Sequence, residues 1–126
     1  MNIIIAGDGK VGATLTRQLT GEGYDVTVID SKLQRPEDSV ERYDVISVQG
    51  NCASMEVLRQ AGVESADLLI AATGADEINL LCCTTAHSMN PNLHTIARIR
   101  NPEYNDQAYR MRDVFGLSMV INPENQ

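Results

Sequence analysis

A glycine-rich hexapeptide near the N-terminus has the residue types and spacing of a phosphate-binding loop. It fits the pattern G-x-G-x-x-G with Gly7, Asp8, Gly9, Lys10, Val11 and Gly12. In this pattern the first glycine permits a tight turn, the second lets a pyrophosphate approach the backbone, and the third lets a helix pack closely on the strand. A helix that begins here would present backbone N–H groups and the positive end of its dipole to phosphates. The loop therefore predicts nucleotide binding, and the alternative is a glycine turn that only joins strand to helix.

Two charged residues, Asp30 and Lys10, could contact a nucleotide bound at this loop. Asp30 lies eighteen residues after Gly12, at the end of the second apolar run, where dinucleotide-binding folds place an acidic residue against the ribose. Its carboxylate would accept hydrogen bonds from the adenosine ribose hydroxyls and repel a 2′-phosphate, so NAD or an adenine nucleotide is favoured over NADP. Lys10 could contact a phosphate, although a solvated lysine is the simpler interpretation.

Three later positions follow predicted strands at their carboxyl ends, where a doubly wound sheet binds its ligands. Asn51 and the backbone of Cys52 follow the third strand and could contact an adenine edge, with a plain turn as the alternative. Thr73 and Gly74 follow the fourth strand near the predicted pyrophosphate crevice, or else form only a strand-exit turn. Arg98 ends the fifth strand, where its guanidinium could bind a phosphate or the second ribose unless a surface ion pair holds it.

Patterns typical of catalysis are missing from the sequence. No tyrosine is followed four residues later by lysine, so the acid–base pair of short-chain dehydrogenases is absent. His87 and His94 have no carboxylate partner evident in the sequence to direct a proton transfer. Asp76 and Glu77 are interpreted as capping a helix rather than as an acid–base pair. We therefore predict no catalytic residue.

Composition excludes several other classes of function. The 126 residues include 10 basic and 17 acidic side chains, and the formal net charge of −7 argues against binding nucleic acid or an anionic membrane surface. No apolar run reaches the ~18 residues of a membrane span, and no cationic stretch precedes the first apolar residues, so neither membrane insertion nor secretion is predicted. Cys52, Cys82 and Cys83 lack a C-x-x-C spacing, so reduced thiols in the core are expected rather than a metal site. These features predict one cytoplasmic domain, residues 1–126. Because the sequence leaves its sixth predicted strand without a closing helix, we expect this domain to be excised from a longer chain.

Short β-branched runs alternate with segments of helical periodicity. The predicted strands are residues 3–6, 26–29, 45–48, 68–72, 95–97 and 119–121. Apolar residues at helical spacing predict helices over 11–19, over 55–61 behind Ser54 as N-cap, and over 78–89. The second connection is the weakest helix because Pro36 must lie in its first turn. This alternation predicts an α/β fold with a doubly wound, mainly parallel six-stranded Rossmann sheet and helices on both faces.

Several motifs along the chain are more particular than the glycine loop. They are Gly50-Asn51, Ala61-Gly62, Asp76-Glu77-x-Asn79 and Ala97-Arg98. With the glycine loop and Asp30, they make nearly the whole chain resemble the N-terminal half of TrkA-type regulators of potassium uptake, the KTN or RCK domain. Pro36 departs from that family, whose members more often have a regular helix there.

This resemblance implies a regulatory nucleotide-binding domain and not an enzyme. Such domains bind NAD(H) or ATP/ADP at the cytoplasmic face of the membrane and gate a potassium channel or transporter. They assemble as dimers, and as tetramers or octameric rings, beneath the membrane subunit. By matching position, the ligand would be held by Gly7 to Val11, Asp30, Asn51, Cys52, Thr73, Gly74 and Arg98.

Two other functions stay open from the residues. The first is the cofactor domain of an NAD-dependent dehydrogenase whose substrate domain is missing, because catalytic residues of such enzymes often lie in a second domain. The second is a methyltransferase using S-adenosylmethionine, which fits an acidic residue after the second strand. That class rarely needs the full phosphate loop.

Overall fold

The computed structural model describes residues 1–7, 9–32 and 45–122. Its strands are β1 (Asn2–Ala6), β2 (Asp25–Asp30), β3 (Ile46–Gln49), β4 (Leu68–Ala71), β5 (His94–Arg98) and β6 (Met119–Ile121). Its helices are α1 (Lys10–Gly21), α2 (Met55–Gln60), α3 (Asp76–Met89), α4 (Pro102–Arg110) and α5 (Arg112–Phe115), with a 3₁₀ turn at Val63–Ser65. Within these described residues, no helix is long and apolar enough to cross a membrane.

The strands form one parallel sheet in the order β3-β2-β1-β4-β5-β6. After β3 the chain returns past β2 and β1 to β4, so the sheet is built outward in both directions from its centre. In such a sheet the carboxyl ends of the strands share one edge, and a crevice opens where the direction of winding changes. Ala6 of β1 pairs with Ala71 of β4, which places Gly7 beside Ala72 at that edge. The doubly wound Rossmann fold predicted from the sequence is confirmed.

Helices cover both faces of the sheet. On one face the apolar stripe of α1 is half-buried against Ile5 and Val28. On the other face α2 and α3 pack on β1 and β4, where Leu58 and Leu69 are fully buried. Each such side chain contributes roughly 1.5–3 kcal/mol by leaving water. This packing fixes the strands, and therefore the loops that leave their carboxyl ends.

The predicted strands match the observed ones to within one residue at each end. The predicted cap of α2 is also confirmed, because the Ser54 hydroxyl accepts a hydrogen bond from the Val57 amide at 3.4 Å. The apolar stripe assigned to residues 55–61 is wrong at its first position: Met55 is 52% exposed, whereas Leu58 is fully buried. Met55 is the first residue of a helix of only six residues, and its side chain does not reach the buried face to which Leu58 belongs.

Residues 102–115 form two helices that hydrophobic periodicity did not predict. In α4 only Ala108 is buried, so its sequence contains no apolar stripe. A capping signal was nevertheless present: the Asn101 side chain accepts a hydrogen bond from the Glu103 amide at 3.0 Å, and Pro102 occupies the first helical position. The second connection with Pro36 falls among residues 33–44, outside the described residues, and so does the C-terminal stretch 123–126.

Candidate functional site

A pocket opens at the carboxyl edge of the sheet, where β1, β2, β3 and β4 end. Its volume is about 440 Å³, within the range of roughly 300–1,000 Å³ that is usual for small-molecule sites. It is lined by the loops after these strands and the start of α3, namely Gly7, Ile29, Ser31, Gly50, Asn51, Cys52, Thr73, Gly74, Ala75 and Ile78. The fold thus brings together five of the residues predicted to contact a ligand: Gly7, Asn51, Cys52, Thr73 and Gly74.

Gly7 joins the glycine loop to the neighbouring strands. Its amide donates a hydrogen bond to the Ile29 carbonyl at 3.0 Å. Its φ of +152° is rarely adopted by L-residues, and a Cβ at this position would lie 2.7 Å from the Ala72 carbonyl oxygen. Glycine is therefore required here. Its hydrogen bond to Ile29 and its close packing on Ala72 place the end of β1 against the ends of β2 and β4.

The start of α1 has the features expected of an anion-binding helix terminus. Gly9 is its N-cap with an extended backbone, and no side chain of the described residues caps the first-turn N–H groups. A Cβ on Gly12 would lie 3.2 Å from the Gly7 carbonyl oxygen, so Gly12 permits the close helix packing that the sequence predicted. These orphan N–H groups and the helix dipole favour a phosphate.

The remaining loop residues differ in what they can offer a ligand. Lys10 is exposed at the first position of α1. The Val11 side chain packs into the apolar cluster beneath α1, so only its backbone is available to a ligand. Asp8 lies outside the described residues.

Asp30 ends β2 at the border of the pocket and is not among its lining residues. It is only 7% exposed, and its Oδ1 accepts a hydrogen bond from the Lys32 amide at 2.9 Å. Its carbonyl oxygen accepts from the Gly50 amide at 2.8 Å, which links the ends of β2 and β3. The adjacent Ser31 lines the pocket. The carboxylate is therefore held in place by the backbone at the position predicted to contact a ribose.

The β3–α2 loop forms part of the pocket wall. The Asn51 side chain accepts a hydrogen bond from the Ala53 amide at 2.9 Å, so its oxygen closes the turn that the sequence suggested as the alternative role. Cys52 is 6% exposed and lines the pocket beside it. The Asn51 oxygen is thus engaged in the turn, while both residues remain on the pocket wall.

Asn79 organises the loop that follows β4, a role that sequence reasoning missed. It is fully buried, and its Oδ1 accepts from the Thr73 amide at 2.9 Å and from the Thr73 hydroxyl at 2.6 Å. Its Nδ2 donates to the Thr73 carbonyl at 3.1 Å and to the Arg98 carbonyl at 2.7 Å. One side chain therefore fixes Thr73 and joins the ends of β4 and β5. The sequence contained a signal for this role in the motif Asp76-Glu77-x-Asn79, but we assigned Asn79 no function from it.

Arg98 lies next to this loop without lining the pocket. Its guanidinium Nη1 is 3.5 Å from the Thr73 carbonyl oxygen, at the end of β4. The side chain is half-buried. It is thus placed beside the β4 loop, and its contact with a phosphate or second ribose stays a prediction.

Asp76 and Glu77 connect α3 to the segment after β5. As predicted, both acidic residues lie in the first turn of α3, at the positive end of its dipole, but neither caps it, because Ala75 is the N-cap and has no side-chain cap. Instead the Asp76 carboxylate accepts from the amides of Arg100 at 2.9 Å and Asn101 at 2.8 Å. Glu77 accepts a hydrogen bond from the Tyr104 hydroxyl at 3.0 Å, which raises the pKa of that phenol. Both carboxylates therefore have structural partners.

Both histidines lie away from the pocket. His94 begins β5 at the opposite edge of the sheet, with its Nδ1 3.4 Å from the Ser118 hydroxyl. His87 lies near the end of α3 and is packed against Gly116, where an added Cβ would meet its ring. Neither location suits a proton transfer at the pocket.

Comparison with known proteins gives a family match. A family model described as the TrkA-N domain matches residues 3–123. Among curated proteins, the Trk system potassium uptake protein TrkA of Vibrio alginolyticus is 40% identical over 104 residues, covering 82% of this chain and 23% of that protein. The chain spans about a quarter of the length of this and other curated relatives that it matches.

Two solved structures are similar to the whole chain. The TrkA-N domain of the inner membrane protein ybaL from Escherichia coli is 26% identical with a TM-score of 0.85, covering 98% of this chain and 88% of that one. The Kef C-terminal domain of Shewanella denitrificans, in its AMP-bound form, is 25% identical with a TM-score of 0.82, covering 97% of this chain and 71% of that one.

Proposed function

The chain belongs to the TrkA-N domain family, and from this premise we propose that it is the nucleotide-binding regulatory domain of a potassium uptake system. One observation carries the proposal: the glycine loop, the buried Asp30 and a pocket of about 440 Å³ lie together at the carboxyl edge of the sheet, beside the parallel neighbours β1 and β4, from which the sheet extends in opposite directions. The ligand is NAD(H), with ATP or ADP as the other adenine nucleotides that fit the same features. The AMP-bound state of the Kef relative supports this class of ligand.

The pocket suggests how each part of the ligand is bound. The phosphates lie over Gly9 and the first turn of α1, because the N–H groups there have no side-chain cap from the described residues. Asp30 accepts hydrogen bonds from the adenosine ribose, and the adenine lies against the β3–α2 loop. The part of the ligand farthest from the adenine contacts the β4 loop and the guanidinium of Arg98. The residues proposed to hold the ligand are Gly7, Asp8, Gly9, Lys10, Val11, Gly12, Asp30, Asn51, Cys52, Thr73, Gly74 and Arg98.

Regulation would operate through the assembly of several such domains. We propose a homo-oligomer, a dimer or a ring of dimers, at the inner face of the membrane against a potassium transporter or channel subunit. A nucleotide that binds one dimer geometry more tightly shifts the population toward that geometry. The shift cannot exceed the difference in affinity between the two geometries. Sedimentation with and without ADP or NADH tests this step, and a monomer under both conditions would contradict it.

A thermal-shift titration tests the proposed ligand class. NAD, NADH, NADPH, ATP, ADP and S-adenosylmethionine are compared in parallel. A ligand at one hundred times its dissociation constant adds about 2.7 kcal/mol of stability, a shift on the order of ten degrees for a domain of this size. Shifts with NAD(H) or ATP/ADP but not NADPH support the proposal. A shift with S-adenosylmethionine alone, or with nothing, contradicts it.

Asp30→Asn is expected to weaken binding of every adenosine ligand by about ten- to a hundredfold. The charged acceptor for the ribose hydroxyls is lost, and such a hydrogen bond contributes roughly 1.5–3 kcal/mol. The amide oxygen can still accept from the Lys32 amide, so the fold is retained. Calorimetry with NADH and ADP measures the change, and NADPH should gain relative to NADH because the repulsion of its 2′-phosphate is reduced.

Asp25→Asn is the matched control for this experiment. Asp25 lies on the same strand as Asp30, but at its exposed amino end. It should leave both affinities unchanged. Equal affinities for wild type and Asp30→Asn would refute the ribose contact.

The proposal also predicts that this chain does not transfer hydride. A dehydrogenase cofactor domain would share the glycine loop and Asp30, so hydride transfer has to be tested directly. The absorbance of the reduced nicotinamide is followed with NAD plus alcohols or hydroxy acids, and with NADH plus the corresponding carbonyl compounds. We expect no turnover. Enzyme-dependent oxidation of NADH would favour the dehydrogenase instead.

A further inference from the structure

The first turn of α3 lies between the pocket and the chain segment that follows β5. Ala75 and Ile78 line the pocket, together with Thr73 and Gly74 of the β4 loop. Asp76 lies between Ala75 and Ile78 in sequence and is only 8% exposed. Its carboxylate is bonded to the segment after β5 and is not part of the pocket lining. One helical turn therefore contacts both the pocket and a segment that does not line it.

Asp76 holds the residue at which α4 begins. Its Oδ1 accepts from the Arg100 amide at 2.9 Å, and its Oδ2 accepts from the Asn101 amide at 2.8 Å. An ionised carboxylate has only acceptor atoms, so it can serve two N–H donors at once. Asn101 is in turn the N-cap of α4, because its side chain accepts from the Glu103 amide at 3.0 Å. Both oxygens of one side chain thus connect the start of α3 to the start of α4.

Helix α4 has little else to hold it in place. Ala108 is its one buried residue. A second tie to α3 comes from its first turn, where the Tyr104 hydroxyl donates to the Glu77 carboxylate at 3.0 Å. No residue of α4 lines the pocket. The position of α4 therefore depends on the hydrogen bonds that join its start to the first turn of α3.

We propose that Asp76 is a positioning residue that couples α4 to the nucleotide pocket. When the first turn of α3 opens, both oxygens of Asp76 leave their backbone amides, and the start of α4 is released. A nucleotide bound against residues 73–75 keeps that turn closed and so holds α4 through Asp76. The surface that α4 presents then depends on the occupancy of a pocket that α4 does not touch. This inference rests on the proposed function, which supplies the nucleotide.

Amide hydrogen exchange followed by NMR, with and without ADP or NADH, tests the coupling in the wild-type chain. At one hundred times the dissociation constant, an opening that abolishes the binding site becomes about a hundredfold rarer, whereas an opening that leaves the site intact is unchanged. The Thr73 amide, which is bonded to Asn79 beside the pocket, reports on the site itself. We expect the amides of residues 106–110 in α4 to slow by the same factor as the Thr73 amide.

Asp76→Asn removes the tie with the smallest change of shape. Asparagine has one acceptor oxygen and a donor nitrogen, so it can accept from only one of the two amides and sets its nitrogen against the other N–H. The amides of α4 should exchange faster, and their slowing by ADP should fall from about a hundredfold to less than about twofold. The Thr73 amide should still respond to ADP. A merely structural role would speed exchange and leave the factor in α4 unchanged, and that result would overturn the assignment of Asp76.

Asp67→Asn is the matched control. The Asp67 carboxylate also accepts from a backbone amide, that of Asn2 at 2.8 Å, but at the amino edge of the sheet. This variant loses the same charge and should keep the wild-type response to ADP both at Thr73 and in α4. If it abolishes the response in α4 as Asp76→Asn does, the coupling does not act through the start of α3, and the proposal is overturned.

The wild-type measurement separates this proposal from the proposed function, and it needs no variant to fold. If the Thr73 amide slows with ADP or NADH and the α4 amides do not, α4 opens independently and only the coupling fails. If neither nucleotide slows the Thr73 amide, the pocket does not bind them, and the proposed function fails together with the coupling. Equal slowing at both places supports both.

Discussion

Replacing Gly7 with alanine is expected to destabilise the fold more than any other change in the glycine loop. The added Cβ would lie 2.7 Å from the Ala72 carbonyl oxygen, and the backbone would have to keep a φ of +152°. The added Cβ would clash with a backbone oxygen and not with a side chain, so no side chain can move aside. Strained backbone costs on the order of 1–3 kcal/mol and overpacking a similar amount, which gives about 2–6 kcal/mol in all. Thermal unfolding should show a fall in Tm of roughly ten to twenty degrees.

Gly9→Ala is the control that separates folding from binding within the same loop. Gly9 has an ordinary extended backbone, and an added Cβ has no described atom within 4 Å. Its free energy of unfolding should change by less than about 1 kcal/mol. Its affinity for ADP should nevertheless fall by roughly tenfold or more, about 1.4 kcal/mol, because the Cβ occupies the place where a pyrophosphate approaches the backbone. Equal stability of Gly7→Ala and wild type, or unchanged affinity in Gly9→Ala, would contradict these assignments.

Replacing Asn79 with alanine is expected to lower both stability and nucleotide affinity. The change removes four hydrogen bonds and leaves the amide and carbonyl of Thr73 and the carbonyl of Arg98 without that partner. Leaving buried polar groups unsatisfied costs about 1–3 kcal/mol, so we expect a loss of about 3 kcal/mol measured by urea unfolding. Affinity should fall as well, because Thr73 and Gly74 line the pocket and would lose their fixed position.

Asn90→Ala is a close control, because Asn90 makes a similar set of bonds far from the pocket. Its Nδ2 donates to the carbonyls of Val63 at 3.0 Å and Ala66 at 3.1 Å, at the other end of α3. This variant should lose stability by a comparable amount and keep the affinity of wild type. If both variants bind ADP equally well, Asn79 stabilises the fold without positioning the β4 loop for a ligand.

The sequence by itself was sufficient for the strands and for the glycine loop. Runs such as residues 3–6 and 68–72 are short, β-branched and apolar on both faces, a pattern that only buried parallel strands require. The loop and Asp30 could be recognised because their spacing reflects local geometry: a turn, a helix start and the next strand end. Features encoded within a few neighbouring residues were therefore predicted well.

Elements with weak local signals were predicted less well. Helix α4 has a single buried residue, so it shows no apolar stripe, and its signal was confined to the capping residue Asn101 and the proline that follows it. Met55 was predicted to lie on the buried face of α2. It is the first residue of this six-residue helix, and its side chain is exposed. In both cases tertiary packing, and not periodicity, decided which side chains are buried.

The tertiary structure alone decided which distant residues meet. Asp76 bonds to backbone amides 24 and 25 residues away, and Asn79 joins Thr73 to a carbonyl 19 residues away. No local pattern encodes these partners, because they depend on the order β3-β2-β1-β4-β5-β6 and on the register of its parallel pairs. Sequence spacing determines backbone conformation locally, whereas packing of the whole sheet determines which strand ends share an edge and thus which side chains form the site.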